Sequence, residues 1–488
     1  MLVLAVATSF LLGSAYGRPS NRGLLPYLDV CHQIAGAISD ASDVYFPGQL
    51  LYLKGVDHWM SSSDQNSACV VEPGIAEDVG VILGIVGSTQ TPFAVRGGGH
   101  TGNAGYSSTE GVHISMFRFS EVTYDENAQT ATIGTGLVWD DVYTALAPHN
   151  VNVVGGRVTG VGVAGFTLGG GFSWLTNQHG LTIDTLTSFE LVKPDGEVAT
   201  VTQSSDSDLF WAMKGGLNNY GIVTSFMLKT FPQGQVWGGL ITYTANVLDD
   251  VANATAKFSA EVTDPKAAII TSANFLLAEP GVSQLLFYDG PTPPDGIFDD
   301  FLAIPHFTKD VSTRSFVSLV QAAPSNATAG QRGAFNTAPV QTLSAGVVKA
   351  MFNESLFWGS RLQFDTGSFI SYDIEPFLPS HLSHNNSPSA WPPTRDVAYL
   401  PECLYFAWIS PLHDDTFHDA MTQSVEQIQR VAIAEGQQGI DTAPPYTNYA
   451  LFDVPVELIY GDSLPLMRSV KARVDPDNVM GLAGGIKI

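Results

Sequence analysis

The sequence predicts an α+β fold of two domains, and three observations support this prediction. Residues 68–235 alternate short strand-like and helix-like runs and are unusually rich in glycine. After that region the glycine density falls and longer strand-like runs appear, and the last stretch is compact again. The 488 residues are enough for about two to four domains. We therefore expect a first domain over 18–235, a second domain over 236–440 and a C-terminal return over 441–488.

Local patterns predict the elements of the first domain. Apolar residues at helical spacing predict helices over 77–86, 139–147 and 206–213. Alternating or short apolar runs predict strands over 92–96, 112–116, 130–133, 151–154, 189–192, 198–201 and 222–230. Lys193-Pro194-Asp195-Gly196 separates two of these strands and is a hairpin turn signal.

The second domain has fewer and longer patterned segments. Strand-like runs at 285–288, 368–372 and 404–408 are expected to belong to one sheet. Residues 417–435 predict one long amphipathic helix. The stretch 381–393 is rich in Ser, Asn and Pro and predicts a loop.

The first seventeen residues predict a secretory signal peptide over 1–17. Leu2 to Leu12 is apolar, and Ala15-Tyr16-Gly17 has the small-x-small pattern that precedes cleavage. This run is too short for the roughly 20 apolar residues of a membrane span. No later stretch of the sequence is long and apolar enough to span a bilayer. We expect a secreted protein, and a short membrane anchor is the alternative.

Sequons and cysteines agree with an extracellular location. Four N-x-S/T sequons are candidate glycosylation sites, at Asn253, Asn326, Asn353 and Asn385. Three cysteines imply one pair and one leftover thiol in an oxidising compartment. Cys31 and Cys69 flank the start of the first domain and are the predicted pair, which leaves Cys403 as a buried free thiol. The alternative is that all three are unpaired core residues.

Composition and motifs argue against several classes of partner and chemistry. The formal net charge is −25, from 22 basic and 47 acidic residues, and no basic stripe could follow a nucleic acid backbone. His58 and His113 lack partners at metal-ligand spacing, so no metal site is expected. No G-x-S-x-G elbow occurs, so nothing supports a serine hydrolase.

A glycine–histidine loop follows one predicted strand. Its sequence is Arg96-Gly97-Gly98-Gly99-His100, followed by Thr101-Gly102-Asn103. Three successive glycines let backbone N–H groups converge closely on a phosphate. Arg96 is a candidate partner for that anion or for the strand end. The alternative is a tight turn with an ordinary histidine.

A second glycine cluster contains a literal dinucleotide-binding motif. Gly160, Gly162 and Gly165 match G-x-G-x-x-G. We reject the Rossmann interpretation because that fingerprint must open a long helix. Gly169-Gly170-Gly171 falls where such a helix would continue. The cluster nevertheless supports a cofactor interpretation of the glycine–histidine loop.

Taken together, these motifs resemble those of the FAD-linked oxidases of the vanillyl-alcohol oxidase superfamily, in the berberine-bridge-enzyme-like branch and its fungal secreted form. The resemblance runs from Cys69 to the C-terminus. Besides the R-G-G-G-H loop and the segment G-V-G-x-x-G-x-x-x-G-G-G, the matching segments are 180–184, 214–216, 219–223, 446–449 and 475–479. Each motif alone has moderate specificity, but their common order and spacing are highly specific.

The resemblance implies both a fold and a cofactor. The fold would be a PCMH-type FAD-binding domain of two α+β subdomains, with a large antiparallel sheet, flanked by helices, over the substrate. His100 would be linked covalently to the flavin 8α-methyl group. The pyrophosphate and isoalloxazine would be lined by Arg96, Gly97, Gly98, Gly99, Thr101, Gly102, Gly105, Gly160, Val161, Gly162, Gly165 and Gly170. Ile222 and Val223 would lie near the adenine, and Asn448 would reach the flavin.

Two positions in the second glycine cluster refine this expectation. Doubly linked relatives have a cysteine for flavin C6 where this chain has Val158, so the resemblance implies a single histidyl link. Val161 matches the position that acts as an oxygen gatekeeper, where a small residue accompanies oxidases and leucine accompanies dehydrogenases. Val161 therefore favours O₂ as the electron acceptor.

The resemblance also implies the catalytic residues. Hydride transfer to a flavin requires a base placed over the ring. In register with the family, Tyr446 is the predicted base and Asp373 the residue that assists it. The neighbours most easily mistaken for them are Tyr372, Glu375 and Tyr449, since successive strand residues face opposite sides of a sheet.

The predicted function is oxidation of a small alcohol, sugar or amine with release of H₂O₂. The expected partners are a small-molecule substrate and O₂, with no nucleic acid and no membrane, and a monomer is favoured. Two alternatives stay open from the sequence. One is a redox-neutral cyclase that uses the flavin fold as a shaped pocket, and the other is a non-catalytic flavin-binding protein.

Overall fold

The protein is described by a computed structural model that covers residues 25–276, 278–385 and 387–488. The predicted signal peptide lies outside these residues. The α-helices are Leu25–Ala35, Leu50–Val56, Ala76–Thr89, Trp139–Leu146, Val163–Leu168, Thr176–His179, Ser207–Met213, Leu248–Glu261, Asp299–Ala303, Phe316–Val320, Ala345–Leu362, Asp414–Ala434, Val456–Tyr460 and Leu464–Val474. In the described part of the chain, no helix has the length and apolar composition needed to cross a bilayer.

The first sheet carries the glycine–histidine loop at the end of one strand. Its spatial order is Asp43–Tyr45, Cys69–Glu72, Val112–Ser115 and Phe93–Arg96. The last three strands are parallel, and helix Ala76–Thr89 provides the connection between two of them. Phe93–Arg96 was predicted from a short apolar run and Val112–Ser115 from alternation, whereas Cys69–Glu72 was not predicted. The loop therefore leaves the sheet at the carboxyl end of a buried strand.

The predicted cysteine pairing is confirmed. Cys31 and Cys69 form a disulfide with an S–S distance of 2.04 Å, which ties helix Leu25–Ala35 to the first sheet. Cys403 is a buried free thiol, as expected.

The second sheet is antiparallel, with the spatial order Val122–Asp125, Thr130–Gly134, Ile222–Lys229, Leu186–Val192 and Val198–Val201. The predicted hairpin at Lys193–Gly196 joins the last two strands, and Gly196 has the positive φ of 90° that the turn requires. Of the strand predicted at 151–154, only Val151–Asn152 forms, and it pairs with Phe231–Pro232. Predicted elements of the first domain thus agree with the structure to within a few residues.

The third sheet contains the three runs expected to share a sheet. Its seven antiparallel strands are, in spatial order, Thr308–Arg314, Val236–Thr244, Glu279–Tyr288, Ala267–Leu276, Gly367–Ile374, Cys403–Trp408 and Arg332–Thr337. This arrangement agrees with the large antiparallel sheet that the resemblance implies.

The two faces of the third sheet differ because side chains alternate along each strand. On strand Gly367–Ile374, the core face carries Ile370, Tyr372 and Ile374. Helices Leu248–Glu261, Ala345–Leu362 and Asp414–Ala434 pack against this face. The opposite face of the same strand carries Phe369, Ser371 and Asp373, which line a cavity. The sheet therefore forms the roof of that cavity.

Candidate cofactor and active site

A cavity of about 690 Å³ lies between the two glycine clusters and the open face of the third sheet. Thirteen of the predicted site residues line it: Gly97, Gly98, Gly99, His100, Thr101, Val161, Gly162, Gly165, Ile222, Val223, Asp373, Tyr446 and Asn448. Five others are not among the residues that line it: Arg96, Gly102, Gly105, Gly160 and Gly170. The structure thus brings together residues from all three predicted segments of the chain.

The two glycine clusters touch each other backbone to backbone. A Cβ atom added to Gly98 would lie 2.4 Å from Gly162 Cα and 2.7 Å from Gly162 N. A Cβ atom added to Gly162 would lie 2.5 Å from Gly98 N. No side chain fits at either position without moving the backbone of the other cluster. This contact explains why both clusters need glycine and leaves their outer surface free to face a cofactor.

We expect Gly98→Ala to abolish FAD binding, because the added methyl group would push the two glycine clusters apart. The measurement is the molar ratio of flavin to protein in the purified variant, from the absorbance spectrum. Gly84→Ala is the matched control, since a Cβ atom at this exposed helical position meets nothing within 4 Å. That control is expected to keep its full flavin content. A yellow Gly98→Ala protein at the wild-type ratio would contradict the prediction.

The imidazole of His100 projects into the cavity beside Trp59. The two rings are stacked, with centroids 4.2 Å apart and planes inclined by 17°. His100 Nδ1 is enclosed and has no hydrogen-bond partner among the described residues. Burial lowers the pKa of His100 to about 4, so the ring is neutral near neutral pH. A neutral imidazole with an unpartnered nitrogen fits the formation of a bond to a cofactor carbon.

Arg96 has a structural role at the strand end. Its Nη1 donates to the carbonyls of Lys54 and Gly55, both at 3.4 Å. Its guanidinium lies 4.7 Å from the ring centre of Phe117, and Gly99 packs against its Nε. Burial lowers the pKa of Arg96 to about 10. The sequence left two roles open for Arg96, as a partner of the bound anion or of the strand end. The structure shows the second role.

The hydroxyl of Tyr446 is held by two N–H donors. The backbone N–H of Gly171 donates to it at 3.2 Å, and Asn448 Nδ2 donates to it at 2.8 Å. Asn448 Nδ2 also donates to the carbonyl of Phe166 at 3.0 Å. Burial raises the pKa of Tyr446 to about 12, while both donors oppose that rise because they stabilise the phenolate. These hydrogen bonds hold the Tyr446 hydroxyl against the second glycine cluster.

Asp373 lies on the roof of the cavity. Ser371 Oγ donates to Asp373 Oδ1 at 2.8 Å, and burial raises the pKa of Asp373. No hydrogen bond joins Tyr446 to Asp373 in the described part of the chain, so the two predicted catalytic residues line one cavity without touching. Tyr372 faces the opposite side of the sheet, where its hydroxyl is 2.7 Å from Ser424 Oγ. Strand alternation therefore separates Asp373 from Tyr372, as expected.

A buried charged cluster next to these residues was missed by sequence reasoning. Arg157 Nη2 lies 2.6 Å from Glu375 Oε2 and donates to the hydroxyl of Tyr449 at 2.9 Å. The Tyr449 hydroxyl donates to Glu375 Oε1 at 3.1 Å. The carboxylate of Glu375 raises the pKa of Arg157, so the guanidinium stays charged despite its burial. A lone arginine inside an apolar glycine cluster was the available signal for this site.

Two further carboxyl groups lie close to this charged cluster. The backbone N–H of Glu375 donates to Glu402 Oε2 at 3.1 Å, and burial raises the pKa of Glu402 well above its usual value. Asp373 and Glu375 also interact electrostatically with each other. Arg157 opposes the rise in pKa for Asp373 and Glu375 but not for Glu402, so protonation of at least one of these three carboxyl groups is favoured.

Comparison with known proteins identifies a cofactor-binding domain in this chain and several fungal relatives. Residues 67–202 match the family model of the FAD binding domain. An FAD-dependent monooxygenase of Aspergillus calidoustus is 32% identical over 329 residues, covering 65% of this chain and 62% of that protein. The chain spans about half to three fifths of the length of the first curated relatives that it matches.

Solved structures share the fold over nearly the whole chain. BBE-like 1 of Physcomitrella patens has a TM-score of 0.74 at 21% identity, over 93% of this chain and 97% of that one. Glucooligosaccharide oxidase of Acremonium strictum has a TM-score of 0.74 at 18% identity, over the same shares. That enzyme contains a 6-S-cysteinyl, 8α-N1-histidyl FAD.

The fold, the glycine clusters and the family match define a protein with a PCMH-type FAD-binding domain. This class agrees with the predicted fold. Residues 67–202 match the FAD binding domain, and nearly the whole chain has the fold of BBE-like 1 and glucooligosaccharide oxidase. The predicted resemblance is thereby confirmed.

Proposed function

We propose that this chain is a secreted oxidase that transfers a hydride from a small alcohol, sugar or amine to a covalently bound FAD and passes the electrons to O₂. The observation that carries the proposal is the neutral imidazole of His100, which lines the cavity next to the glycine clusters and whose Nδ1 has no hydrogen-bond partner among the described residues. When bound, FAD supplies the hydride acceptor. The substrate would lie between the cofactor and the roof formed by the third sheet.

The two glycine clusters are proposed to hold the cofactor and His100 to form its single link. Their backbone contact brings Gly97–Gly99 and Val161–Gly165 to one wall of the cavity. Ile222 and Val223 line the same cavity at the second sheet, where the adenine is proposed to lie. Val158 also lines it and has no sulfur to form a second link.

Tyr446 is proposed to remove the substrate proton, with Asp373 assisting from the roof. The N–H groups of Gly171 and Asn448 would stabilise the phenolate that such a base requires. Asp373 would orient a substrate hydroxyl or amine by a hydrogen bond, and burial raises the pKa of this carboxyl group. Tyr449 with Glu375 is the competing pair, because these two share a hydrogen bond.

A monooxygenase is the second candidate function, because several of the curated fungal relatives carry that name. Oxygen uptake with each candidate substrate distinguishes the possibilities. An oxidase consumes O₂ without a nicotinamide reductant, forms one H₂O₂ for each substrate and adds no ¹⁸O from ¹⁸O₂ to the product. A monooxygenase incorporates ¹⁸O. Product formation without O₂ uptake indicates the redox-neutral cyclase, and absence of turnover across the panel favours a binding protein.

The covalent link predicts that His100→Ala releases its flavin. The wild-type protein is expected to keep its yellow colour in the pellet after acid precipitation, whereas the variant releases all of it into the supernatant. Absorbance of the two fractions is the measurement. His149→Ala, which removes an exposed histidine that does not line the cavity, controls for loss of an imidazole and should leave the flavin in the pellet. Wild-type flavin found in the supernatant would show that the cofactor is not covalently bound.

Secretion is part of the same proposal. It is supported by the apolar leader over 1–17 and by the exposed side chains of three sequon residues, Asn253, Asn326 and Asn353. Asn385 is half-buried. Recovery of the protein from culture medium with its N-terminus at Arg18, and a mass decrease after deglycosylation, are the expected results. Retention in the cells with an intact leader would contradict secretion.

A further inference from the structure

A short strap, defined as His58–Ser63, lies between the glycine–histidine loop and the third sheet. The backbone N–H of Trp59 donates to the carbonyl of Gly99 at 3.1 Å. The carbonyl of Trp59 accepts from the backbone N–H of Gly330 at 2.8 Å. Trp59 is therefore fixed on one side to the loop that carries His100 and on the other to the segment that leads into strand Arg332–Thr337.

The serines of the strap repeat this bridging pattern. Their hydrogen bonds are Ser61 N to Gln331 O at 2.9 Å, Ser62 Oγ to Gly333 O at 2.7 Å and Ser63 Oγ to Thr101 O at 2.5 Å. With bonds to both the cofactor loop and the substrate sheet, the strap holds the Trp59 ring in a defined position.

No hydrogen bond fixes the buried Nδ1 of the His100 ring. This nitrogen has no hydrogen-bond partner within 25–276, 278–385 or 387–488. Functional histidines are usually oriented by a partner on the second nitrogen. Here the ring instead stacks on Trp59 at 4.2 Å and lies 6.2 Å from the ring of Phe335. Stacking on Trp59 is thus the closest contact available to set the plane of the imidazole.

We propose that Trp59 is a positioning residue that holds the His100 imidazole in the plane from which its covalent link to the flavin forms. This inference rests on the histidyl link of the proposed function. The link replaces one C–H bond of the 8α-methyl group by a C–N bond and releases that proton and the imidazole N–H proton. Two electrons remain on the flavin, and O₂ takes them up with two protons to form H₂O₂.

Stacking acts on the rate of this step by raising the fraction of imidazole rings aligned with the methyl carbon. A single aromatic stack contributes up to about tenfold to such an orientational equilibrium. The Trp59 ring takes no part in the contact between Gly98 and Gly162, which backbone atoms form, and the hydrogen bond from Trp59 to Gly99 is also made by the backbone. Loss of the ring should therefore slow linking while leaving FAD bound.

The test compares Trp59→Leu, which keeps apolar volume without an aromatic ring, with Trp59→Phe, which restores one. Full-length protein is harvested at successive times after induction. Total flavin is measured in the native protein, and the linked share is the fraction that stays with the acid pellet. Trp358→Leu is the control for loss of a tryptophan, because Trp358 lies on helix Ala345–Leu362, away from the cavity.

We expect Trp59→Leu to bind wild-type amounts of flavin but to link it about tenfold more slowly, with Trp59→Phe close to the wild type. Linking at the wild-type rate in Trp59→Leu would overturn the inference. Absence of all flavin from Trp59→Leu would overturn it as well, since Trp59 would then support binding. Wild-type protein that links no flavin would refute the covalent link itself and this inference with it.

Discussion

Tyr446→Phe is expected to slow flavin reduction by the substrate by about 10²–10⁴-fold, the usual contribution of a general base. The variant removes the hydroxyl that accepts from Gly171 N and Asn448 Nδ2 and leaves the ring packed against Phe172 and Trp391. Bound FAD should be unaffected. The measurement is the rate constant for anaerobic bleaching of the flavin absorbance after rapid mixing with substrate.

The pH dependence of flavin reduction provides a second readout. A base acts only when deprotonated, and burial raises the pKa of Tyr446 to about 12. The wild-type rate should therefore rise with pH over the range below that value. Tyr446→Phe should lose this rise, because phenylalanine has no proton to release. A purely structural role would lower the rate equally at every pH.

Tyr449→Phe is the matched control, because it removes the neighbouring hydroxyl of the same cavity. It should slow flavin reduction less than Tyr446→Phe does and keep the pH dependence. The reverse result, with Tyr446→Phe near the wild type and Tyr449→Phe slow, would contradict the assignment. It would indicate that Tyr449 is the base. Glu375, which accepts a hydrogen bond from the Tyr449 hydroxyl at 3.1 Å, would then assist it.

Arg157→Met is expected to destabilise the fold by about 3–5 kcal/mol, because it leaves a buried carboxylate without its partner. Glu375 is 2% exposed and lies 2.6 Å from the guanidinium. Asp373 and Glu402, both close to Glu375, provide no positive charge to replace it. Chemical denaturation at pH 7 measures the difference in the free energy of unfolding.

The loss of stability in Arg157→Met should become smaller as the pH falls. Burial already raises the pKa of Glu375 in the folded state, and loss of Arg157 removes the charge that opposes this rise. An acid shifted in this direction destabilises the fold above the unfolded-state pKa and less as pH falls and the carboxyl takes up a proton. The difference between Arg157→Met and wild type should therefore shrink toward acid pH.

Two comparison variants isolate the charge effect. Arg157→Met combined with Glu375→Gln should recover part of the stability at pH 7, because no unpaired charge is then buried. Arg430→Met removes an exposed arginine that lies 3.8 Å from Glu426 and should change the free energy of unfolding by less than about 1 kcal/mol. A loss for Arg157→Met as small as that for Arg430→Met would show that the buried pair contributes little.

Several strands of the first domain were predicted well, whereas only parts of three of the seven strands in the third sheet were predicted. Val112–Ser115 is buried along its whole length and matches the alternating run that predicted it. Glu279–Tyr288 was predicted only at 285–288, because its first half contains Pro280, Gly281 and Ser283. Pairing with strands on both sides extends it to ten residues. Sheet pairing outweighs local propensity there.

Helices were likewise predicted only where their apolar pattern is visible in the sequence. The helix predicted at 417–435 forms over Asp414–Ala434, with an exposed polar side that makes its apolar stripe visible in the sequence. Helix Ala345–Leu362 was not predicted, although it is 18 residues long. It packs between the third sheet and its neighbouring helices and is apolar on more than one side, so its period is less clear.

Local motifs were sufficient to identify the FAD-binding class, the glycine–histidine loop and the cysteine pair, since each depends on a short segment or on residue type. The charged cluster of Arg157, Glu375 and Tyr449 and the stack of Trp59 on His100 arise only when distant segments meet. Burial then determines their chemistry, because removal of water raises or lowers each pKa and makes an unpaired charge costly. The amino-acid sequence alone shows neither which residues contact one another nor how deeply they are buried. Tertiary packing therefore decided which side chains pair in this site.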